Sequence, residues 1–377
     1  MAYSSFICKY VYISNWPMTK KHSHIPFAVA LLLVLGFFTF SFGGPMNHPL
    51  LENVLLTGRW QVTPQALMAS APGVMVQFTA TTSELSFDLE GEARYRLDID
   101  GKESEQFTID ARETHKVKVI GDGAHQFRLI KISESNPGKV SLYGIDLGKG
   151  GKFGPKPKAS NRRIEFIGDS FSVGYGNMAS GPEDGTVFEK TDASRGYAFL
   201  LADGYKADFQ INAVSGRGLV RNYDWIVPDW TLSTLYDYTL FGVMELGEKS
   251  ELWNFESFHP QVIVIFVGIN DFQGNPPHAD PVAFKTAYAA LLDKLRKLHP
   301  GVKFLLVSTK TWPDDSMTPA VQQVFEGQKA KGFKDLEYKL VMTENTALHG
   351  HPSAHSQEEL AQTLRFTVGR LGGFLSR

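Results

Sequence analysis

The apolar residues of this chain change their period partway along it, and two different architectures follow. Between about residues 55 and 147 they alternate: Val74, Val76 and Phe78; Leu85, Phe87 and Leu89; Tyr95, Leu97 and Ile99; Val117 and Val119; Phe127 and Leu129. A period of two puts one face of each segment in a core and the other in water, which is the pattern of half-buried antiparallel strands. The runs break at Glu90-Gly91, Asp100-Gly101, Gly121-Asp122-Gly123 and Asn136-Pro137-Gly138. Asp-Gly is a hairpin signal, because glycine takes up a positive φ without steric cost. Short strands between closely spaced turns predict a β-sandwich over residues 50–148.

Residues 149–160 have no period and are rich in Gly, Lys and Pro, so they read as a linker in which Lys149, Lys152, Lys156 and Lys158 are solvated. From 161 to 377 the pattern is different. Short apolar runs at 164–167, 209–214, 262–267 and 304–308 suit strands buried in a parallel sheet. Phe284, Ala287, Tyr288, Leu291, Leu295 and Leu298 fall at helical spacing, and His299-Pro300 stops that helix. Residues 161–377 are therefore predicted to form an α/β domain, in which ligands bind beyond the carboxyl ends of the strands.

Lys20 and Lys21 precede a charge-free apolar run over 25–42 that ends in Gly43-Gly44-Pro45. A charged region, an apolar core and a small-residue exit make residues 1–44 a secretory signal, with Met18 a candidate true start. The alternative is an uncleaved membrane anchor, because the run is near bilayer-spanning length and lacks a clear A-x-A site. A secreted or periplasmic protein is expected, touching membrane only if that segment is uncleaved. The single cysteine, Cys8, lies in this leader. No thiol then remains for a disulfide, a thiolate metal site or a cysteine nucleophile. A formal net charge of −2 gives no reason to expect nucleic acid as a partner.

Each predicted strand is followed by residues able to do chemistry: Gly168-Asp169-Ser170, then Ser215-Gly216-Arg217-Gly218, then Gly268-Ile269-Asn270-Asp271, with His351-Pro352 near the end. A serine hydroxyl becomes a nucleophile when a base takes its proton and fixed N–H donors await the oxyanion. Ser170 alone would pass as a helix cap, and Asn270-Asp271 as a turn pair. Together the four positions supply a hydroxyl, a base in His351, and donors from Ser170, Gly216 and the Asn270 amide. Pro352 holds His351 in an extended conformation.

These four ordered blocks resemble those of the SGNH (GDSL-type) hydrolases. IGDSFSVGYGN, NAVSGRGLVRNY and HPSAHSQEELA, with HQFRLIKISESNPGKVSLYGIDLG before them, are similar to carbohydrate esterase family 2, from about Leu55 to the end. The resemblance implies an N-terminal jelly-roll β-sandwich followed by a flavodoxin-like three-layer α/β domain. It also implies a serine esterase that removes O-acetyl groups from hemicellulose sugars such as xylan or glucomannan, without cofactor. By motif, Ser170 is the expected nucleophile and His351 the base and then acid. Ser170, Gly216 and Asn270 form the expected oxyanion hole, and Asp169 and Asp271 hold loops. One departure stands out. An acid commonly lies three or two residues before the histidine, and here those positions are Leu348 and His349. A Ser170–His351 dyad is expected, in which a backbone carbonyl accepts the Nδ1 proton and orients the ring, with Asp335, Glu337 or Glu344 as the candidates for a relocated acid.

His349, His351 and His355 have no supporting carboxylate or thiolate spacing, so no metal site is expected. Ser356-Gln357-Glu358-Glu359 reads as a capping box, which would put His355 just outside a helix. Trp225, Trp230 and Trp312 are candidates for stacking on sugar, since pyranose faces are apolar. Two rival functions remain open: a general SGNH lipase or thioesterase, and a carbohydrate-binding protein that has lost catalysis.

Overall fold

The computed structural model describes residues 47–135 and 138–375, so the leader and the Asn136-Pro137 turn lie outside the described residues. The alternating segment forms strands β1 (Leu55–Thr57), β2 (Gln61–Val62), β3 (Leu67–Ala69), β4 (Met75–Thr81), β5 (Glu84–Glu90), β6 (Ala93–Ile99), β7 (Lys102–Ile109), β8 (Glu113–Lys118), β9 (Ala124–Lys131) and β10 (Val140–Asp146). They make two antiparallel sheets, ordered β1-β4-β9-β6-β7 and β2-β3-β10-β5-β8. The alternate apolar positions explain why the sheets pair face to face. Val76, Phe78, Leu97, Phe127 and Leu129 of one sheet share a core with Leu67, Leu85, Phe87, Leu89 and Leu142 of the other. Phe78 stacks on Phe127 at 4.8 Å and meets Phe87 of the opposite sheet edge-on at 6.3 Å. At the β6–β7 hairpin Asp100 (φ 52°) and Gly101 (φ 77°) are both left-handed, as a type I′ turn demands.

The stretch 149–160 contributes β11 (Lys152–Phe153), which pairs antiparallel with β4. Gly154 N–H donates to the Thr79 carbonyl at 2.8 Å, and the Thr79 hydroxyl to that of Pro155 at 2.8 Å. Although the composition is that of a linker, its backbone is taken up by the sheet edge.

The second half holds a parallel sheet of β12 (Arg163–Gly168), β13 (Asp208–Ala213), β14 (Val262–Phe266), β15 (Lys303–Thr309) and β16 (Leu336–Val341), in the order β13-β12-β14-β15-β16. Counted along the chain that is 2-1-3-4-5, the flavodoxin-like order, whose direction reverses beside its first strand. The crevice at that reversal lies at the carboxyl end of β12. Strand β16 was not legible as an apolar run, because Glu337 and Lys339 interrupt it at the sheet edge.

Eight helices accompany the sheet among the described residues: α1 (Ser170–Val173), α2 (Val187–Lys190), α3 (Tyr197–Gly204), α4 (Leu232–Leu235), α5 (Ile269–Phe272), α6 (Pro281–Leu298), α7 (Met317–Ala330) and α8 (Ala354–Leu371). Helix α6 starts where the Asp280 carboxylate caps Val282 N–H at 3.1 Å. It buries Phe284, Tyr288, Leu291, Leu292 and Leu295 and stops at His299; each such side chain contributes about 1.5–3 kcal/mol. Helix α8 begins earlier than its sequence suggests. The cap is Ser353, whose hydroxyl accepts from Ser356 N–H at 3.3 Å. His355 is therefore inside the first turn, and Gln357 points inward: its amide oxygen accepts from Tyr197 N–H at 2.9 Å and its NH2 donates to the Phe171 carbonyl at 3.0 Å. No helix among the described residues is long and apolar enough to cross a membrane.

The sandwich and the parallel sheet are joined by buried charge. Arg59, between β1 and β2, has no solvent exposure. Its guanidinium donates to Gln210 Oε1 at 3.1 Å and to the carbonyls of Tyr236 and Tyr238 at 2.5 and 3.1 Å, and it pairs with Glu165 of β12 at 3.5 Å. Asn212 and Tyr236 donate to the same carboxylate at 2.6 and 2.8 Å. A buried charge costs several kcal/mol unless it is satisfied in this way.

Candidate active site

The tight junction from β12 to α1 places Ser170. Asp169 is extended, and its Oδ1 accepts from Phe171 N–H at 3.1 Å, which turns the chain into a short helix with Ser170 first. The N–H groups of a first helical turn have no partner within the helix, so Ser170 presents a hydroxyl and an N–H together. Burial pushes the Asp169 carboxyl up to about 8, with the nearby charge of Asp271 adding to the rise. Its Oδ2 has no hydrogen-bond partner.

Gly216 follows β13 with φ +75°. A Cβ there would come within 3.0 Å of Ile226 Cδ1, in a backbone conformation that side chains disfavour. The Gly216 carbonyl accepts from Tyr223 N–H at 2.9 Å. Asn270 lies in α5, just beyond β14, and its side-chain amide donates to the Arg217 carbonyl at 3.0 Å. The next residue, Asp271, accepts three successive backbone N–H groups: Leu219 at 3.0 Å, Val220 at 2.9 Å and Arg221 at 3.1 Å. Burial pushes its carboxyl up to about 6 against the lowering effect of those donors. The Arg221 guanidinium returns the contact, donating to the carbonyls of Asn270, Gln273 and Asn275. The second and third blocks are thus stitched into one surface.

His351 follows a 3₁₀ turn over Leu348–Gly350, with the extended φ of −99° and ψ of 163° that Pro352 favours. Its Nε2 is 3.0 Å from Ser170 Oγ, and its Nδ1 is 3.1 Å from the Leu348 carbonyl. A carbonyl only accepts, so Nδ1 carries the proton and Nε2 offers its lone pair to the hydroxyl. Burial pulls the imidazole down to about 4. At neutral pH it is the free base.

The three carboxylates nearest upstream are engaged elsewhere or exposed. Asp335 binds Arg296 at 2.7 and 3.1 Å, Glu337 binds Arg370, and Glu344 is exposed. His349, in left-handed backbone at φ 50°, meets the Tyr175 hydroxyl at 2.9 Å. His355 is exposed beside Glu359. Of the tryptophans, Trp225 and Trp312 are 46% and 60% exposed, in the loops after β13 and β15. Trp230 is half-buried against the sandwich core and edge-on to Tyr238. Two contributors had not been singled out from the sequence. Tyr175, five residues after Ser170, lays its ring 4.3 Å from that of His351, and Leu348 contributes a backbone atom, which no side chain could signal.

A serine at a strand-to-helix turn is thus within hydrogen-bond reach of a histidine on a 2-1-3-4-5 sheet, and residues 166–335 match the GDSL-like lipase/acylhydrolase family. Residues 56–157 match the N-terminal domain of carbohydrate esterase 2. An acetylxylan esterase / glucomannan deacetylase of Cellvibrio japonicus (strain Ueda107) is 33% identical over 269 residues, 66% of this chain and 70% of that protein. The cellulase/esterase CelE of Acetivibrio thermocellus is 34% identical over 197 residues, 52% of this chain and 23% of that protein. A family two carbohydrate esterase from Clostridium thermocellum, solved in complex with cellohexaose, superposes with a TM-score of 0.78 at 28% identity, covering 85% of this chain and 100% of that one. The chain belongs to carbohydrate esterase family 2, and it is a carbohydrate esterase.

Proposed function

We propose that this esterase removes O-acetyl groups from hemicellulose sugars such as those of acetylated xylan or glucomannan, with Ser170 as nucleophile and His351 as general base and then acid. What supports the two roles above all is the 3.0 Å contact between His351 Nε2 and Ser170 Oγ. The substrate class is carried over from the named activities of the Cellvibrio relative. Ser170 Oγ attacks the acetyl carbonyl carbon as its proton passes to Nε2. The resulting oxyanion is met by the N–H groups of Ser170 and Gly216 and by the Asn270 amide. Collapse breaks the bond to the sugar oxygen, His351 returns the proton to that leaving hydroxyl, and acetyl-Ser170 remains. Water, giving a proton to His351 Nε2, then attacks the acyl-serine; the bond to Ser170 Oγ breaks, His351 returns that proton to Oγ, and acetate departs.

In this scheme the Leu348 carbonyl does the orienting work of a triad acid without adding a charge. Trp225 and Trp312 are the exposed rings on which a pyranose would stack, and the packing of Trp230 ties it to the sandwich. The charged and apolar pattern of residues 1–44 supports export. Ser170→Ala is expected to lower kcat on an aryl acetate by about 10³-fold or more, and a fluorophosphonate is expected to label wild-type Ser170 stoichiometrically. Activity retained within about tenfold would overturn the assignment. Faster turnover of long-chain acyl esters than of acetylated xylan or glucomannan would return the lipase reading.

A further inference from the structure

The loop that carries Gly216 is gripped from the other half of the molecule by a buried glutamate. Glu134, just past β9, is 9% exposed, and its Oε1 accepts the hydroxyl of Ser215. The segment that bears it is fixed in turn. Lys131, also buried, donates its ammonium to the carbonyls of Ser70 at 3.3 Å, Ser133 at 3.1 Å and Glu134 itself. Ser135 donates its N–H to Glu134 Oε2 at 3.3 Å and its hydroxyl to the Ala213 carbonyl, the last residue of β13, at 3.0 Å. On the far side of Gly216, Arg217 is paired with Glu245.

The direction of the Gly216 N–H is set by the peptide it shares with Ser215. The Gly216 carbonyl and the Arg217 carbonyl are tied to Tyr223 and Asn270, but both lie beyond that peptide. The Ser215 carbonyl, at the other end of that peptide, receives only a long contact from Arg217 Nη1 at 3.5 Å, and on the near side the Ser215 hydroxyl is held by Glu134. We propose that Glu134, a residue of the sandwich, is a positioning residue for deacetylation: it locks the Ser215-Gly216 peptide so that the Gly216 N–H points at the developing oxyanion. This goes with the assignment of Gly216 as an oxyanion donor made above. The sandwich is then part of the catalytic machinery, whatever glycan contacts it also makes.

A donor held in place is worth about 10²–10³ in kcat, and one left to wander loses part of that. The test uses the full chain, kcat and KM on an aryl acetate, and fluorophosphonate titration to count competent sites. Ser215→Ala is expected to lower kcat by about 10- to 100-fold with KM within about threefold. Glu134→Gln, whose amide oxygen still accepts the hydroxyl, is expected to stay within about fivefold of wild type. Glu134→Ala should repeat the loss of Ser215→Ala, and the double variant should lose no more than either alone. If Glu134→Ala fails to fold around Lys131, Ser215→Ala and Glu134→Gln still carry the test. Wild-type kcat in Ser215→Ala, a loss confined to KM, or additive losses in the double variant would overturn the proposal. Failure of the underlying Ser170 reading is distinguishable, because wild-type enzyme would then go unlabelled at Ser170.

Discussion

Replacing Asp271 by alanine would release the loop between Gly216 and Arg221. Its carboxylate, fully buried, is the acceptor for three consecutive N–H groups, those of Leu219, Val220 and Arg221. With a carboxyl near 6, it is ionised at pH 7 and accepts all three. Each donor left unpaired in the interior costs about 1–3 kcal/mol, so three bound the loss at about 3–9 kcal/mol. Removing a carboxylate that is itself costly to bury returns part of this, leaving an expected net destabilisation of about 2–5 kcal/mol. Asp271→Asn is a finer probe. If its oxygen keeps Val220 and Arg221, its NH2 faces the Leu219 N–H, donor against donor, and the loss is about 1–3 kcal/mol. Urea denaturation at pH 7 measures both values, and kcat on an aryl acetate should fall at least about tenfold in the alanine variant as Gly216 and Asn270 lose register. An alanine variant within about 0.5 kcal/mol of wild type would refute the account, because the three contacts would then contribute nothing.

Other outcomes follow from the same contacts. With His351 as the proposed base, its reactive form is neutral, and burial holds its pKa near 4, so kcat/KM should persist on the acid side and reach half its plateau near pH 4. A half-point at pH 6 or above, about where an unperturbed histidine titrates, would contradict this. Arg59→Ala strands the Glu165 carboxylate and should cost about 3–5 kcal/mol by denaturant unfolding, whereas a loss under about 1 kcal/mol would deny that Arg59 joins the two halves. Asp335→Asn and Glu337→Gln, which lose only Arg296 and Arg370, should leave kcat within about threefold; a drop above about 10²-fold in either would reveal a relocated acid. His349→Ala should cost less than about tenfold in kcat, as its ring meets the Tyr175 hydroxyl and in no form carries the negative charge that a triad acid would lend the base.

The sandwich was legible because each of its strands separates a wet face from a dry one, a contrast that alternation records directly. Asp100-Gly101 marked its hairpin for a comparable reason, since few other pairs accept two positive φ values. Strand β16 escaped because an edge strand needs no unbroken apolar run, and Glu337 and Lys339 occupy it. Ser353 and Ser356 are both plausible helix caps by residue type, and only the structure distinguishes them. Four blocks after strands pointed to Ser170 and His351, which the fold brings into contact. That a backbone carbonyl would orient His351 was expected from the missing acid, but which residue supplies it was not legible, because every residue has one; it is Leu348. The contacts of Arg59 with Glu165 and of Glu134 with Ser215 span 106 and 81 residues. No local pattern encodes a pairing at that range.

Gln357 gives the molecule an order of assembly. It bridges Phe171, beside the serine, to Tyr197 at the start of α3, and it stands six residues after the histidine. During synthesis the serine loop emerges 181 residues ahead of the imidazole it will meet. A chain stopped before position 351 has a hydroxyl and nothing to take its proton; one stopped between 351 and 357 has both groups but lacks the side chain that clamps the serine's helix to its neighbour. With the roles proposed above, hydrolysis therefore waits on α8, whose Gln357 clamps the serine's helix to α3.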